Sequence, residues 1–89
     1  MASKYIIIAD PSGNENIIVF PATMVHKDVA WCLAKSKQAC FETVSAGFVD
    51  EFLNCYGESS SMGLRSRPED TNLLRSSLGM NDLEIKYKD

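Results

Sequence analysis

The side chains best equipped for chemistry in this 89-residue chain lie close together between Tyr56 and Arg67. Tyr56, the consecutive serines Ser59, Ser60 and Ser61, and the arginines Arg65 and Arg67 precede SRPEDTNLL, which carries the marks of a helix start. Helix N-termini present unpaired N–H groups, hydroxyls donate hydrogen bonds, and guanidinium groups offer forked donors. Together they suit a phosphate or another anion, and make these six residues a candidate anion or nucleic-acid site. Glu58, Glu69 and Asp70 crowd the same stretch and oppose a bound anion, while Arg67 is also placed to pair with them. The plainer reading of the stretch is a strand handing over to a helix.

Other chemistries find less to work with. His26 is the single histidine, and His26, Cys32, Cys40 and Cys55 are separated by five, seven and fourteen residues. Structural zinc sites use closely paired ligands such as C-x₂-C, so no metal is expected and the cysteines read as small core hydrophobes. His26 and Cys32 lie six residues apart on one predicted helix, about 120° out of alignment at 100° per residue, which argues against a nucleophile–base pair. Asp50–Glu51 and Glu69–Asp70 are sequence neighbours that point in different directions. Gly57 and Gly63 are isolated, so no phosphate-cradling glycine loop is present. No catalytic residue and no cofactor is assigned, and the expectation is a non-enzymatic protein.

The hydrophobic pattern indicates what positions these groups. KYIIIAD (4–10) and NIIVFP (16–21) are β-branched runs joined by DPSGNE, a turn sequence, and so predict a hairpin. Both strands are apolar on both faces: Ile6 and Ile8 point one way and Tyr5 and Ile7 the other, as do Ile17 and Val19 against Ile18 and Phe20. ATMVHKDVAWCLAKSK (22–37) takes the helical period, with Val25, Val29, Cys32 and Leu33 in one stripe beside Ala22, and Thr23 as N-cap. Trp31 lies almost opposite that stripe, near Met24, Lys27 and Lys35, which makes it an interface residue on this phase and a core residue on a shifted one.

ACFETVSAGFV (39–49) predicts a third strand in which Gly47 marks a bulge or a close backbone approach. DEFLN reads as a turn, and CYGESSSMGL as a strand that grows polar. Ser66 to Glu69 fit a capping box with Pro68 in the first turn, Leu73, Leu74 and Leu78 form an apolar face, and Gly79 stops the second helix. DLEIKYKD (82–89) alternates Leu83, Ile85 and Tyr87 with Glu84, Lys86 and Lys88, the pattern of a fifth, edge strand.

The expected architecture is a single α+β domain, residues 1–89, with an antiparallel sheet of four to five strands and two helices in the order ββαββα(β), the helices on one face. The second face of the first hairpin would then be bare, and an exposed patch of Ile and Tyr implies self-association. Tyr5 and Ile7 on that face, with Met24 and Trp31 on the first helix, are the predicted protein interface.

A net charge of −3 with dispersed acids means that attraction to nucleic acid would have to come from a local patch. No apolar run reaches the roughly 18–20 residues of a membrane span, and the opening MASKYIIIAD lacks signal-peptide character. Three cysteines form no complete disulfide framework, which suits a reducing cytoplasm. SAGFV (45–49), CYGES (55–59) and SRPEDTNLL (66–74) resemble segments of small hypothetical proteins of proteobacterial phages and prophages, a likeness extending from Phe20 to about Gly79. The resemblance implies a phage or bacterial origin and the cytoplasm of a bacterial host; it carries no activity and no functional residue. The expected function is protein binding, to itself or to another protein, including a host defence protein that it would inhibit. Nucleotide or nucleic-acid binding through Arg65 and Arg67 is the alternative.

Overall fold

The computed structural model describes residues 2–37 and 41–79. Its elements are β1 (Ser3–Ala9), β2 (Glu15–Phe20), α1 (His26–Lys37), β3 (Glu42–Val49), β4 (Cys55–Tyr56), β5 (Glu58–Ser59), β6 (Leu64–Arg65) and α2 (Asp70–Ser77). β1 to β4 form an antiparallel sheet of order β2-β1-β3-β4, and β5 and β6 form a separate two-stranded hairpin. The fold is α+β, as the pattern of hairpins and helices predicts. The polar stretch after Cys55 does not continue as one strand: it divides into β4, β5 and β6. Cys40 and the alternating segment Leu83, Ile85 and Tyr87 lie outside the described residues.

β1 occupies the centre of the sheet, and its alternation splits the core in two. Ile6 and Ile8 pack with Phe20, Ala46 and the α1 residues Val29 and Ala30 on one face. Tyr5 and Ile7 pack with Val49 and the α2 residue Leu74 on the other. The helices therefore cover opposite faces, not one, because a strand apolar on both sides must be buried on both sides. Tyr5 and Ile7 are fully buried beneath α2, so they cannot form the predicted interface, and the bare face that implied self-association does not exist.

The first helix begins later than its apolar period suggests. Residues 21–25 form a turn closed by Met24 N–H on the Pro21 carbonyl, and the Val25 carbonyl accepts from Asp28 and Val29. Val25, not Thr23, thus heads the helix. The inward stripe rotates accordingly: His26, Val29 and Ala30 are buried, while Val25 and Cys32 are exposed. Trp31 remains outside the core at 62% exposure, with the Lys35 ammonium 5.6 Å from its ring centroid. Met24 is also exposed but precedes the helix, so the two do not share a helical face.

Two loops repeat one device. In D-P-S-G-N, Asp10 Oδ1 accepts from the backbone N–H groups of Ser12 and Asn14, both at 2.9 Å. In D-E-F-L-N, Asp50 Oδ1 accepts from Phe52 and Asn54 at 2.8 and 2.9 Å. The fourth position takes positive φ in both: +89° at Gly13 and +66° at Leu53. Leu53 tolerates a region that disfavours side chains while packing against the second core cluster.

Gly47 serves the close approach that its position in a strand suggests: a Cβ there would collide with the Tyr56 carbonyl and crowd the Tyr5 ring. The bulge itself lies nearby, where Ile7 pairs Ser45 and Ile8 pairs Thr43, leaving Val44 extra on β3. Gly47→Ala should therefore cost about 1–3 kcal/mol in urea unfolding, and wild-type stability would rule out this packing. Trp31→Ala, in contrast, should change stability by less than about 0.5 kcal/mol; a loss several times larger would place the indole in the core.

Candidate functional site

The best-connected polar cluster is buried and ties three elements together. Asp70, with no exposed surface, accepts from the Tyr5 hydroxyl at 2.6 Å and from Arg67 Nε and the Arg67 backbone N–H, both at 2.9 Å. The same guanidinium reaches Glu15 on β2 in a bidentate pair of 2.7 and 3.1 Å. The helix start therefore differs from a Ser66–Glu69 box. Glu69 makes no side-chain cap, and Asp70 reaches back three residues to Arg67 instead. Burial pushes the Asp70 carboxyl up, but the bonds from Tyr5 and the Arg67 backbone, with others, outweigh it and hold the group below its ordinary value. Burial, then Asp70, drive the Tyr5 hydroxyl well up. The Arg67 guanidinium holds Glu15 low, and Glu15 in turn leads the upward shift of Arg67. Each group is held in one charge state by its neighbours, the condition of a structural clamp.

This clamp removes Arg67 from the predicted anion site. The other five residues separate as well. Tyr56 stacks on Phe48 with centroids 5.8 Å apart. Ser59 is buried, its hydroxyl 3.2 Å from that of Ser61. Ser59, Ser60 and Ser61 line a cavity of about 220 Å³ with Lys4, His26 and Glu58. Arg65 lies opposite Glu58 across the β5–β6 hairpin and lines a different, open depression with Gly57 and Ser66. The six candidates thus fall in three places and form no single donor cluster.

His26 has a placing role that the sequence did not reveal. It is buried between Phe20 and Phe48, edge-on to both, and its Nε2 is 2.8 Å from the Gly47 carbonyl. A carbonyl only accepts, so Nε2 carries the proton. The bond fixes the first turn of α1 onto β3. Among the described residues no group of three or more His, Cys, Asp or Glu side chains could hold a metal ion, and no helix is long and apolar enough to cross a membrane.

Among the described residues, one exposed apolar surface lies at the β2 edge. α2 runs beside β2 in the same direction: Arg67, just before the helix, grips Glu15 at the start of β2, whereas Leu74 and Leu78 share a groove with Val19 near its end. That groove, about 270 Å³, is lined by Ser3, Val19, Val49, Leu53, Leu74 and Leu78 together with the acids Asp50 and Glu51. A second depression continues it past Ser3 and Val19 to Phe20, Pro21 and Ala22. Val19 is 45% and Leu78 55% exposed. Among the described residues β2 pairs only with β1, over six residues without a register break. Its outer edge has no lysine or proline, and its single charge, Glu15, is engaged by Arg67. These are the features with which edge strands usually block further pairing. Sequence reasoning missed this site because Val19 reads as one more residue of an apolar strand.

Comparison of the chain with protein-family models, with curated proteins and with solved structures returns no match.

Cys55 reports on the clamp because it lies beside it. Its backbone N–H donates to the Thr71 hydroxyl at 2.9 Å, and burial, then the Asp70 charge, push its thiol up to about 11. A folded pKa above the unfolded one adds stability at neutral pH that is lost as pH rises from about 9 through about 11. Asp70 works in the opposite sense: its depressed folded pKa adds stability above pH ~4 that is lost as pH falls further. Peptide-resolved alkylation at pH 8 should label Cys55 about 100-fold more slowly in the folded chain than in urea. Equal rates would contradict the burial of this site. Asp70→Asn should flatten the acid limb of the stability curve below pH ~4, and an unchanged limb would assign acid unfolding to other carboxylates.

Proposed function

We propose that this chain is a non-enzymatic protein-binding domain whose partner adds an extended segment to the open edge of β2, a second copy of the chain being one eligible partner. The observation that carries the reading is a six-residue edge strand that, among the described residues, pairs on one side only and lies beside an apolar groove. Strand addition supplies affinity through main-chain hydrogen bonds, and adjoining pockets supply specificity through alternate side chains. The groove offers apolar contact at Val19, Leu53 and Leu78, and the acids Asp50 and Glu51 in its lining favour a basic residue next to the inserted apolar one. With Asp70 and Tyr5 satisfying each other, the ionisable core groups have a structural use that needs no substrate.

Selection from a displayed library of extended peptides tests the reading. Binders should alternate apolar and polar residues, and Val19→Asp should weaken them by at least about tenfold, since an aspartate at the edge opposes pairing and desolvates poorly. Light scattering over a dilution series, run in parallel, shows whether a second copy takes the same place. Absence of binders together with a 9.9 kDa species at all concentrations would overturn the proposal. So would binders indifferent to Val19→Asp.

A further inference from the structure

The cavity beside the serine run holds two charges that the fold does not use. β1 places Lys4 between Phe20 and Phe48 in the sheet register, and the same two rings hold His26 edge-on. Lys4 Nζ donates to the Met24 carbonyl at 2.8 Å, which takes one of its three protons. Glu58 lines the same cavity from the β5–β6 hairpin. Among the described residues neither Lys4 nor Glu58 makes an ion pair, although Arg65 stands across the hairpin from Glu58. The other polar groups also have capacity to spare. His26 gives its Nε2 proton to the Gly47 carbonyl, which in the neutral ring leaves Nδ1 an acceptor. Ser59 and Ser61 share a single hydrogen bond, so one of their two hydroxyl protons is left to donate, and Ser60 adds another.

Size and charge together narrow what fits. The cavity, about 220 Å³, is smaller than the roughly 300–1,000 Å³ of pockets for drug-sized ligands and much larger than the ~30 Å³ share of one water. A small solute has few groups with which to answer two opposite charges. A simple anion faces Glu58, a simple cation faces Lys4, and an uncharged polyol leaves both without a counter-charge. A zwitterion answers both. We infer that this cavity binds a small free α-amino acid, its carboxylate on Lys4 and the serine hydroxyls and its ammonium on Glu58 and His26 Nδ1. Val25 and Phe48 supply the apolar part of the lining and favour a short aliphatic side chain. His26 and Ser59 are buried, so this part of the wall is formed by the fold itself. The cavity shares no residue with the groove at β2, and the inference stands apart from what that edge binds.

Titration of the full isotope-labelled chain with L-alanine and with L-valine, followed by NMR amide shifts, tests this. Saturable shifts are expected at Lys4, His26, Phe48 and Ser59 to Ser61, with the β2 amides unmoved. N-acetyl-L-alanine, which lacks the ammonium, and L-alaninamide, which lacks the carboxylate, should each bind at least about tenfold more weakly than alanine. The same two probes separate a free amino acid from a peptide end, which keeps only one of the charges. Glu58→Gln should also weaken alanine at least about tenfold and leave the remaining amide spectrum unchanged, because this side chain is exposed. It is the deciding variant, since Lys4 also holds the Met24 carbonyl. No saturable shift with alanine or valine at about 20 mM would overturn the inference. N-acetyl-L-alanine binding as well as alanine, or inorganic phosphate binding more tightly than alanine and tighter still in Glu58→Gln, would overturn it in favour of a simple anion site. Alaninamide binding as well as alanine would overturn it in favour of a cation site.

Discussion

The hydrogen bond between the Tyr5 hydroxyl and the buried Asp70 carboxylate is the constraint from which most of this structure follows. β1 is otherwise apolar on both faces from Tyr5 to Ala9, so its one hydroxyl needs a partner once it is covered. Asp70 supplies that partner but is itself a charge with no exposed surface, which is tolerable only with a cation and several donors. Arg67 provides both through its guanidinium and its backbone N–H, and its remaining nitrogens reach Glu15. One continuous set of bonds thereby joins β1, β2 and the start of α2. It orients the second helix along β2, and so decides which edge and which groove stay open.

The opposite face is positioned by the same principle on a smaller scale. His26 places the first turn of α1 by donating to the Gly47 carbonyl, with Phe20 and Phe48 edge-on to its ring. In both cases apolar packing provides the bulk of the contact and one buried polar group specifies where the helix sits. Such groups select an arrangement more than they add stability, because their burial is costly unless every partner is in place. The glycine that lets β4 approach β3 also offers the carbonyl that holds α1, so Gly47 serves both layers.

Much of this fold is legible in the sequence, and the misreadings have identifiable causes. The β-branched runs, the DPSGN turn and the Gly79 stop mark their elements because each depends on local conformational preference. DEFLN reads as a turn although its positive-φ position holds Leu53 where the equivalent loop holds Gly13. The two-faced pattern of β1 correctly demands a second cover. Nothing in the pattern says whether that cover is a second subunit or the short α2, whose visible apolar face is only three leucines. Asp70 reads as a first-turn acid suited to a helix dipole, and its burial depends on Tyr5, 65 residues earlier. Arg67 reads both as an anion ligand and as a partner for the neighbouring acids; its bonds to Asp70 and its 3.8 Å approach to Glu69 fit the second reading, and Glu15, 52 residues away, is the partner that the sequence does not show. Long-range pairing of charges cannot be read from a single chain's composition or period. The helical phase places Trp31 outside the apolar stripe, and its exposure decides between that phase and a shifted one with the indole in the core.

A double-mutant cycle on Tyr5→Phe and Asp70→Asn, followed by urea unfolding at pH 7, addresses the clamp most directly. If the hydroxyl and the carboxylate hold α2 against the first hairpin, the two substitutions should couple by about 1.5–3 kcal/mol. A coupling energy below about 0.5 kcal/mol, with the two losses simply adding, would contradict the clamp and reopen the question of what covers the second face of β1.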